Sequence, residues 1–322
     1  VGVYNVGASS ETENIGIITL GNNSTGLYQN NGTNIINNGI INGTGTGAVG
    51  MYTDSNTGII NNTALIDLQG DKSIGIYAMG STQNIINSGT IKLGNSSLMN
   101  DPSIGIYGAV AGSTITNSGT VTSGVRSIGM YSNGGTVNNI GASNIGNSGV
   151  GIYSTGGVVN LNSGSAFNMG TNGAVGVYGV YSAVNNSADL NIGNSNYGYI
   201  LKGGSLTNAA GTNSSIGDDS VYMYSTEGTT VTNDGTLIMS GANNVGFYMA
   251  QDPTSGVGGA VMTNNAGGII LGTTGNNNVG IYNYGGIVDN YGTVAVGDSD
   301  ILFIAGTTDV DIQNSKYSVG IY

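Results

Sequence analysis

The chain has 322 residues, with 60 glycines, two prolines and no cysteine, histidine or tryptophan, and 17 acidic against five basic residues leave a net charge of −12. Five scattered cations (Lys72, Lys92, Arg126, Lys202 and Lys316) cannot neutralise a phosphate backbone or an anionic membrane surface, which excludes nucleic acid as a partner. With no histidine or cysteine and a single arginine, His-ligated zinc, thiol chemistry and Ser-His-Asp triads are excluded too.

The first element opens the chain. "VGVY" (1–4) is the first of fourteen copies of a Val/Ile-Gly-apolar-Tyr motif, whose fourth residue falls at Tyr4, Tyr28, Tyr52, Tyr77, Tyr107, Tyr131, Tyr153, Tyr178, Ile200, Tyr224, Tyr248, Tyr282, Ile304 and Tyr322. The spacing is about 24 residues, within the range of stacked supersecondary repeats. Two further segments follow in each period, "NIINSG" (84–89) and "TIKLG" (90–94) in one, "TVTNDG" (230–235) in another. All three alternate with the strand period of two, and glycine marks the corners. Such a chain is expected to form an all-β parallel β-helix with three strands per coil and about 13 coils of about 24 residues. It runs as one continuous segment over 1–322. One coil alone buries too little apolar surface to offset its own ordering, so stacking is obligatory.

Within the motif, positions one and three are apolar and are expected to point inward. The glycine at two and the tyrosine at four then point outward, as a file of bare backbone beside a file of stacked rings. In the second segment an asparagine follows an inward Ile or Val by two residues. Asn37, Asn61, Asn87, Asn117, Asn139, Asn186, Asn208, Asn233, Asn264 and Asn290 are therefore expected to form an internal amide ladder.

Two coils are oversized, by the insertions 95–103 and 250–260, and each holds one of the two prolines. The second insertion follows Tyr248. If the segment has a partner, contact is expected at Tyr224, Tyr248 and Tyr282 with Gln251, Asp252 and Pro253, where rings and glycine backbone make a flat surface. Further on, 299–318 is irregular. Asp298, Asp300, Asp309 and Asp311 are the one place where calcium is a candidate, although the "GGxGxDxUx" ligand repeat is absent; no other cofactor or metal is expected. Asp218 and Asp219 form the other acid pair, and turn roles are the plainer reading for all of these. No enzyme activity is expected. The chain starts and stops inside its own repeat, so a piece of a longer protein is expected.

The units "NSGTIKLGN…SIGIY", "TNSGTVTSGVRSIGMY" and "TNDGTLIMSGANNVGFY" resemble the passenger-domain repeats of the large autotransporter (type V secreted) adhesins of fusobacteria and their relatives. The resemblance covers essentially the whole chain. It implies a right-handed parallel β-helix on the bacterial cell surface, anchored by a C-terminal outer-membrane barrel lying outside this chain. The implied partners are a host-cell glycan or receptor protein, or another bacterial surface. Absent cysteine fits export. Two alternatives stand beside the stalk or adhesive segment: a carbohydrate-active β-helix enzyme or phage tailspike-like fibre, and a pure structural spacer.

Overall fold

The computed structural model describes residues 1–55, 57–80, 82–98, 100–108, 110–251, 259–273, 277–296 and 319–321. The irregular repeat at 299–318 and the four aspartates of the calcium candidate lie outside the described residues. Among those described, every regular element is a strand. They stack as a β-solenoid of about 12 turns, each some 24 residues on from the last.

Each turn carries three short strands, as Val49–Thr53, Thr57–Asn62 and Leu65–Leu68 do. Strands pair in parallel with their equivalents one turn away, residue on residue: Val49 meets Ile74, Met51 meets Ile76 and Tyr52 meets Tyr77. First and second strands build one continuous sheet. Third strands build a seven-stranded sheet ending at Ala166–Met169 and a four-stranded sheet starting at Asn213–Ile216. The core is three rows of side chains. Met51, Ile76 and Ile106 come from the first strand, Ile60, Ile85 and Ile115 from the second, and Ile66, Ile91 and Val121 from the third, all buried. Each such side chain contributes roughly 1.5–3 kcal/mol on leaving water.

The first strand departs from the expected alternation. Position one is half-buried, and both the glycine at two and the apolar residue at three are buried, as in Ile74–Ala78 and Ile104–Gly108. The glycine file is therefore part of the interior and not an outer strip of bare backbone. A Cβ on Gly75 would stand 2.5 Å from the Gly105 carbonyl oxygen and 2.8 Å from Cγ2 of Ile91. Successive turns approach here so closely that a side chain has no room.

Tyr222 occupies this glycine position in its own turn, and it is fully buried. Space comes from the third strand, where the inward row of Ile66, Ile91 and Val121 holds Ser214 instead. The Tyr222 hydroxyl lies 3.3 Å from Ser214 Oγ and 3.3 Å from Asn208 Oδ1. Its ring packs edge-on against Tyr199 at 5.3 Å and Phe247 at 5.5 Å. Bulk has moved from one wall to another while the volume stays filled.

In most turns the corner ahead of the first strand sets one residue in the left-handed region. Glycine serves at Gly47, but Lys72 (φ 57°), Arg126 (φ 56°) and Asp219 (φ 55°) serve elsewhere. A left-handed non-glycine residue costs roughly 1–2 kcal/mol, which the stacked neighbours impose.

Gly75→Ala should lower stability by about 1–3 kcal/mol through overpacking. An outward glycine would tolerate the methyl, so an unchanged urea midpoint would return the glycine file to the surface. A second expectation concerns alkali. Burial pushes the Tyr222 phenol up to about 12 from an ordinary value of 10.0. The native state holds this proton more tightly than the unfolded chain, so its contribution is complete below pH 10 and is lost as pH rises toward 12. In Tyr222→Phe the fall of the urea midpoint across that window should be shallower than in the parent chain.

Candidate functional site

Outward position four of the first strand places tyrosines in a single file. Rings from Tyr4 to Tyr178 follow one another at 4.6–5.3 Å, mostly stacked, with edge-on steps at Tyr52–Tyr77 and Tyr77–Tyr107. Ile200 interrupts the file. It resumes with Tyr224–Tyr248 at 5.0 Å and Tyr248–Tyr282 at 4.7 Å, both stacked. Parallel in-register strands set this spacing, close to the separation of neighbouring strands. From Tyr28 onward the rings are half-buried by their neighbours, while Tyr4 at the end of the file is exposed. Partial desolvation raises the phenols of Tyr52, Tyr107 and Tyr248 above the ordinary tyrosine value.

Three of the expected contact residues, Tyr224, Tyr248 and Tyr282, thus stand side by side. Gln251 is exposed at the end of this strand, and its N–H donates to the Tyr284 carbonyl at 2.8 Å. Asp252 and Pro253 lie outside the described residues. Two rings not anticipated from the sequence widen the aromatic surface. Tyr284 is exposed on the same strand as Tyr282, and Tyr181 reaches Glu227 Oε2 at 3.0 Å. Tyr181 sits in a left-handed conformation (φ 50°) at the step between the first and second strands, directly over Gly203.

The amide row is internal. Asn37, Asn87, Asn117, Asn139, Asn186, Asn208, Asn233 and Asn264 are buried. Nδ2 donates to the next Oδ1 at 2.8 Å along Asn87, Asn117 and Asn139, and at 2.7–2.8 Å from Asn186 through Asn208, Asn233 and Asn264 to Asn290. The same amides donate to corner carbonyls, as Asn139 does to Gly141 O at 3.2 Å. Asn61 is not a member. Asn62 takes that place, accepting from Asn37 and donating to Asn87 at 2.8 Å each, while Asn61 is half-buried on the other face. The two-residue spacing has to be counted from buried Ile60 and not from Ile59, which is 41% exposed; a one-residue slip exchanges the faces.

The ladder also begins a turn earlier, at Asn14, and breaks once. Leu161 stands in register between Asn139 and Asn186. A second internal polar row, just ahead of the first strand, escaped the sequence reading. Asn196 Oδ1 accepts from Ala174 N–H at 2.9 Å, and Asn244 and Asn278 accept in the same way from Ser220 and Asn244 at 3.0 Å. The signal available was the small or amide residue that precedes the motif in most repeats.

The 95–103 insertion is fastened to the wall by charge. Asp71 accepts from Ser97 N–H at 3.1 Å and from its hydroxyl. Lys72 Nζ meets Asp101 Oδ2 at 2.6 Å, and Arg126 Nη1 donates to Ser97 O at 3.2 Å. The Ser97 bonds hold the Asp71 carboxyl below its ordinary value, and Asp101 raises that of Lys72. Asp218 and Asp219 serve the same corner several turns on: Asp218 Oδ1 accepts from Ala242 N–H at 2.7 Å, and Asp219 Oδ1 from Asn243 Nδ2 at 2.9 Å. Among the described residues no three acidic side chains gather as a metal site would require.

No protein-family model, curated protein or solved structure matches this chain.

Asn117→Leu should destabilise the rod by about 1–3 kcal/mol, because the buried amides of Asn87 and Asn139 lose their partner. Asn61→Ala should stay within about 0.5 kcal/mol of the parent chain. Denaturant midpoints of the two variants check the assignment, and equal effects would contradict it.

Proposed function

We propose that this solenoid is a surface-exposed stalk and adhesive segment of a secreted autotransporter-type adhesin, which presents or makes attachments to host cells or other bacteria. One observation carries the reading: the outward tyrosine file along one face of a rod whose other rows are spent on holding it together. Aromatic edges and phenol hydroxyls at regular intervals suit contact with a sugar face or a receptor loop, since each ring offers an apolar body and a polar tip. The repeat resemblance supports the same reading and adds export to the bacterial surface through an outer-membrane barrel. Contact is assigned to Tyr224, Tyr248 and Tyr282 with the 250–260 insertion that follows Tyr248. The acid pair that an enzyme reading would recruit, Asp218 and Asp219, is engaged in corner bonds one turn apart.

Replacing Tyr224, Tyr248 and Tyr282 with serine and deleting 250–260 in the full surface-displayed protein should reduce cell attachment severalfold while the β-sheet circular dichroism signal persists. Attachment at the parental level with the rod folded would leave the segment as a spacer.

A further inference from the structure

Tyrosine is the side chain of this rod that gives up a single electron most readily. The chain holds 19 tyrosines and no cysteine or tryptophan, and methionine reacts with peroxide by taking up oxygen instead. In the outward file Tyr107 and Tyr131 stack with ring centroids 4.6 Å apart and planes 8° from parallel. Tyr131–Tyr153 and Tyr153–Tyr178 follow at 5.3 and 5.0 Å, also stacked. Tyr107 and Tyr131 are residue-on-residue partners of a parallel pair, so like atoms of the two rings stand opposite each other, about one strand spacing apart. Rotation about χ2, which is broad for tyrosine, then brings the two Cε edges together. Phenol protons have a way out, because these rings are half-buried and not enclosed. At Tyr28 the hydroxyl donates to Asp54 Oδ2 at 3.3 Å, a carboxylate placed to take the proton as that ring is oxidised.

We propose that the file from Tyr4 to Tyr178 is a site of oxidative modification, where a haem peroxidase acting with hydrogen peroxide joins tyrosines of successive turns as dityrosine. The oxidant takes one electron from each of two neighbouring phenols, and each phenol releases its hydroxyl proton. The two phenoxyl radicals couple through Cε, the ring carbon beside the hydroxyl-bearing one. Each coupled carbon then loses its hydrogen as a proton while each phenol oxygen takes one back, which restores both aromatic rings. One C–C bond forms, two C–H bonds break, and the peroxide ends as two waters. Holding the partners side by side replaces a bimolecular encounter by an intramolecular one. Tyr107 and Tyr131 are 24 residues apart in the chain, so their bond closes a loop that constrains the unfolded state as a disulfide would, in a rod that has no cysteine. Two features set the limits of the reaction. Ile200 stands in register between Tyr178 and Tyr224, so these two rings have no neighbour to join across it. Tyr199 and Tyr222 are 5.3 Å apart but fully buried, where close packing blocks both the oxidant and the turning of the rings. The stretch from Tyr4 to Tyr178 lies outside the residues assigned to attachment, so this inference does not rest on the adhesive reading.

The test treats the full chain with a haem peroxidase and hydrogen peroxide, then reads dityrosine fluorescence and maps linked peptides by mass spectrometry. Peptides joined with the loss of two hydrogens should pair Tyr107 with Tyr131, Tyr131 with Tyr153 and Tyr153 with Tyr178. None should pair Tyr178 with Tyr224 or Tyr199 with Tyr222. The yield per chain should not depend on protein concentration, and the linked chain should unfold at a higher urea midpoint than the untreated one. Tyr131→Phe keeps a ring in the stack but removes the phenol, and should abolish the Tyr107–Tyr131 and Tyr131–Tyr153 links while Tyr153–Tyr178 still forms. No linked pair from the file, a yield that rises with protein concentration, equal linking of Tyr199 to Tyr222, or an unshifted urea midpoint would overturn the proposal. Should Tyr131→Phe fail to fold, the pairs mapped in the parent chain decide alone.

Discussion

A buried asparagine in the wall of this solenoid has its side-chain partner one turn away, in the asparagine of the next repeat. Asn87 donates to Asn117 and Asn117 to Asn139, each at 2.8 Å, because parallel in-register pairing sets equivalent atoms one strand spacing apart. The constraint is general. Whatever occupies a row must be able to stack on itself, whether amide on amide inside, ring on ring outside, or isoleucine on isoleucine in the core. It accounts for a composition of glycine, asparagine, serine and threonine that would remain disordered without periodicity. Backbone groups of the corners are satisfied by the same rows, as the Asn139 bond to Gly141 shows.

Departures from a row are accommodated by paired changes. Tyr222 enters a position reserved for glycine only because Ser214 withdraws volume from the opposite wall. At Leu161 the amide ladder stops, and Asn186 Oδ1 accepts instead from Ala188 N–H of its own corner at 3.1 Å. The 95–103 insertion meets Asp71, Lys72 and Arg126 on the turns beside it, so two of the five cations in the chain are committed to one loop. Exposed pairs of this kind contribute little individually. Together with the Ser97 bonds they select one position for the loop and leave the stacked rows undisturbed.

The repeat period, three strands per turn and parallel stacking were legible because each rests on apolar alternation, which the sequence displays about a dozen times over. The tyrosine file and most of the amide ladder followed from the same counting. What escaped were places where strict alternation or simple spacing fails. A glycine has no side chain to reveal its direction, so two consecutive inward positions in the first strand read as ordinary alternation. Adjacent identical residues, Ile59–Ile60 and Asn61–Asn62, leave the phase open by one residue, and burial of Ile60 resolves it. Lys72 and Arg126 do not announce a left-handed corner as glycine would. "SADLNIG" (187–193) has the same length as "SGTVTSG" (118–124), yet only the second pairs with both neighbours.

Homotypic stacking also limits where this rod can differ from itself. In a regular turn each row repeats, and a partner recognising one turn would recognise the next equally well. A unique site needs a break. Three breaks fall close together: Leu161 in the amide ladder, 188–193 in the third-strand wall and Ile200 in the tyrosine file. On the opposite wall of the same turns, the first and second strands run on without interruption, Val175–Asn186 pairing with Tyr197–Asn208 over nearly their full lengths. Longer pairing there holds the turns in register while the third wall gives up part of its ladder. These three breaks fall beside the longest strand pairing of the described residues, and that is the arrangement a solenoid requires if it is to carry a site at all.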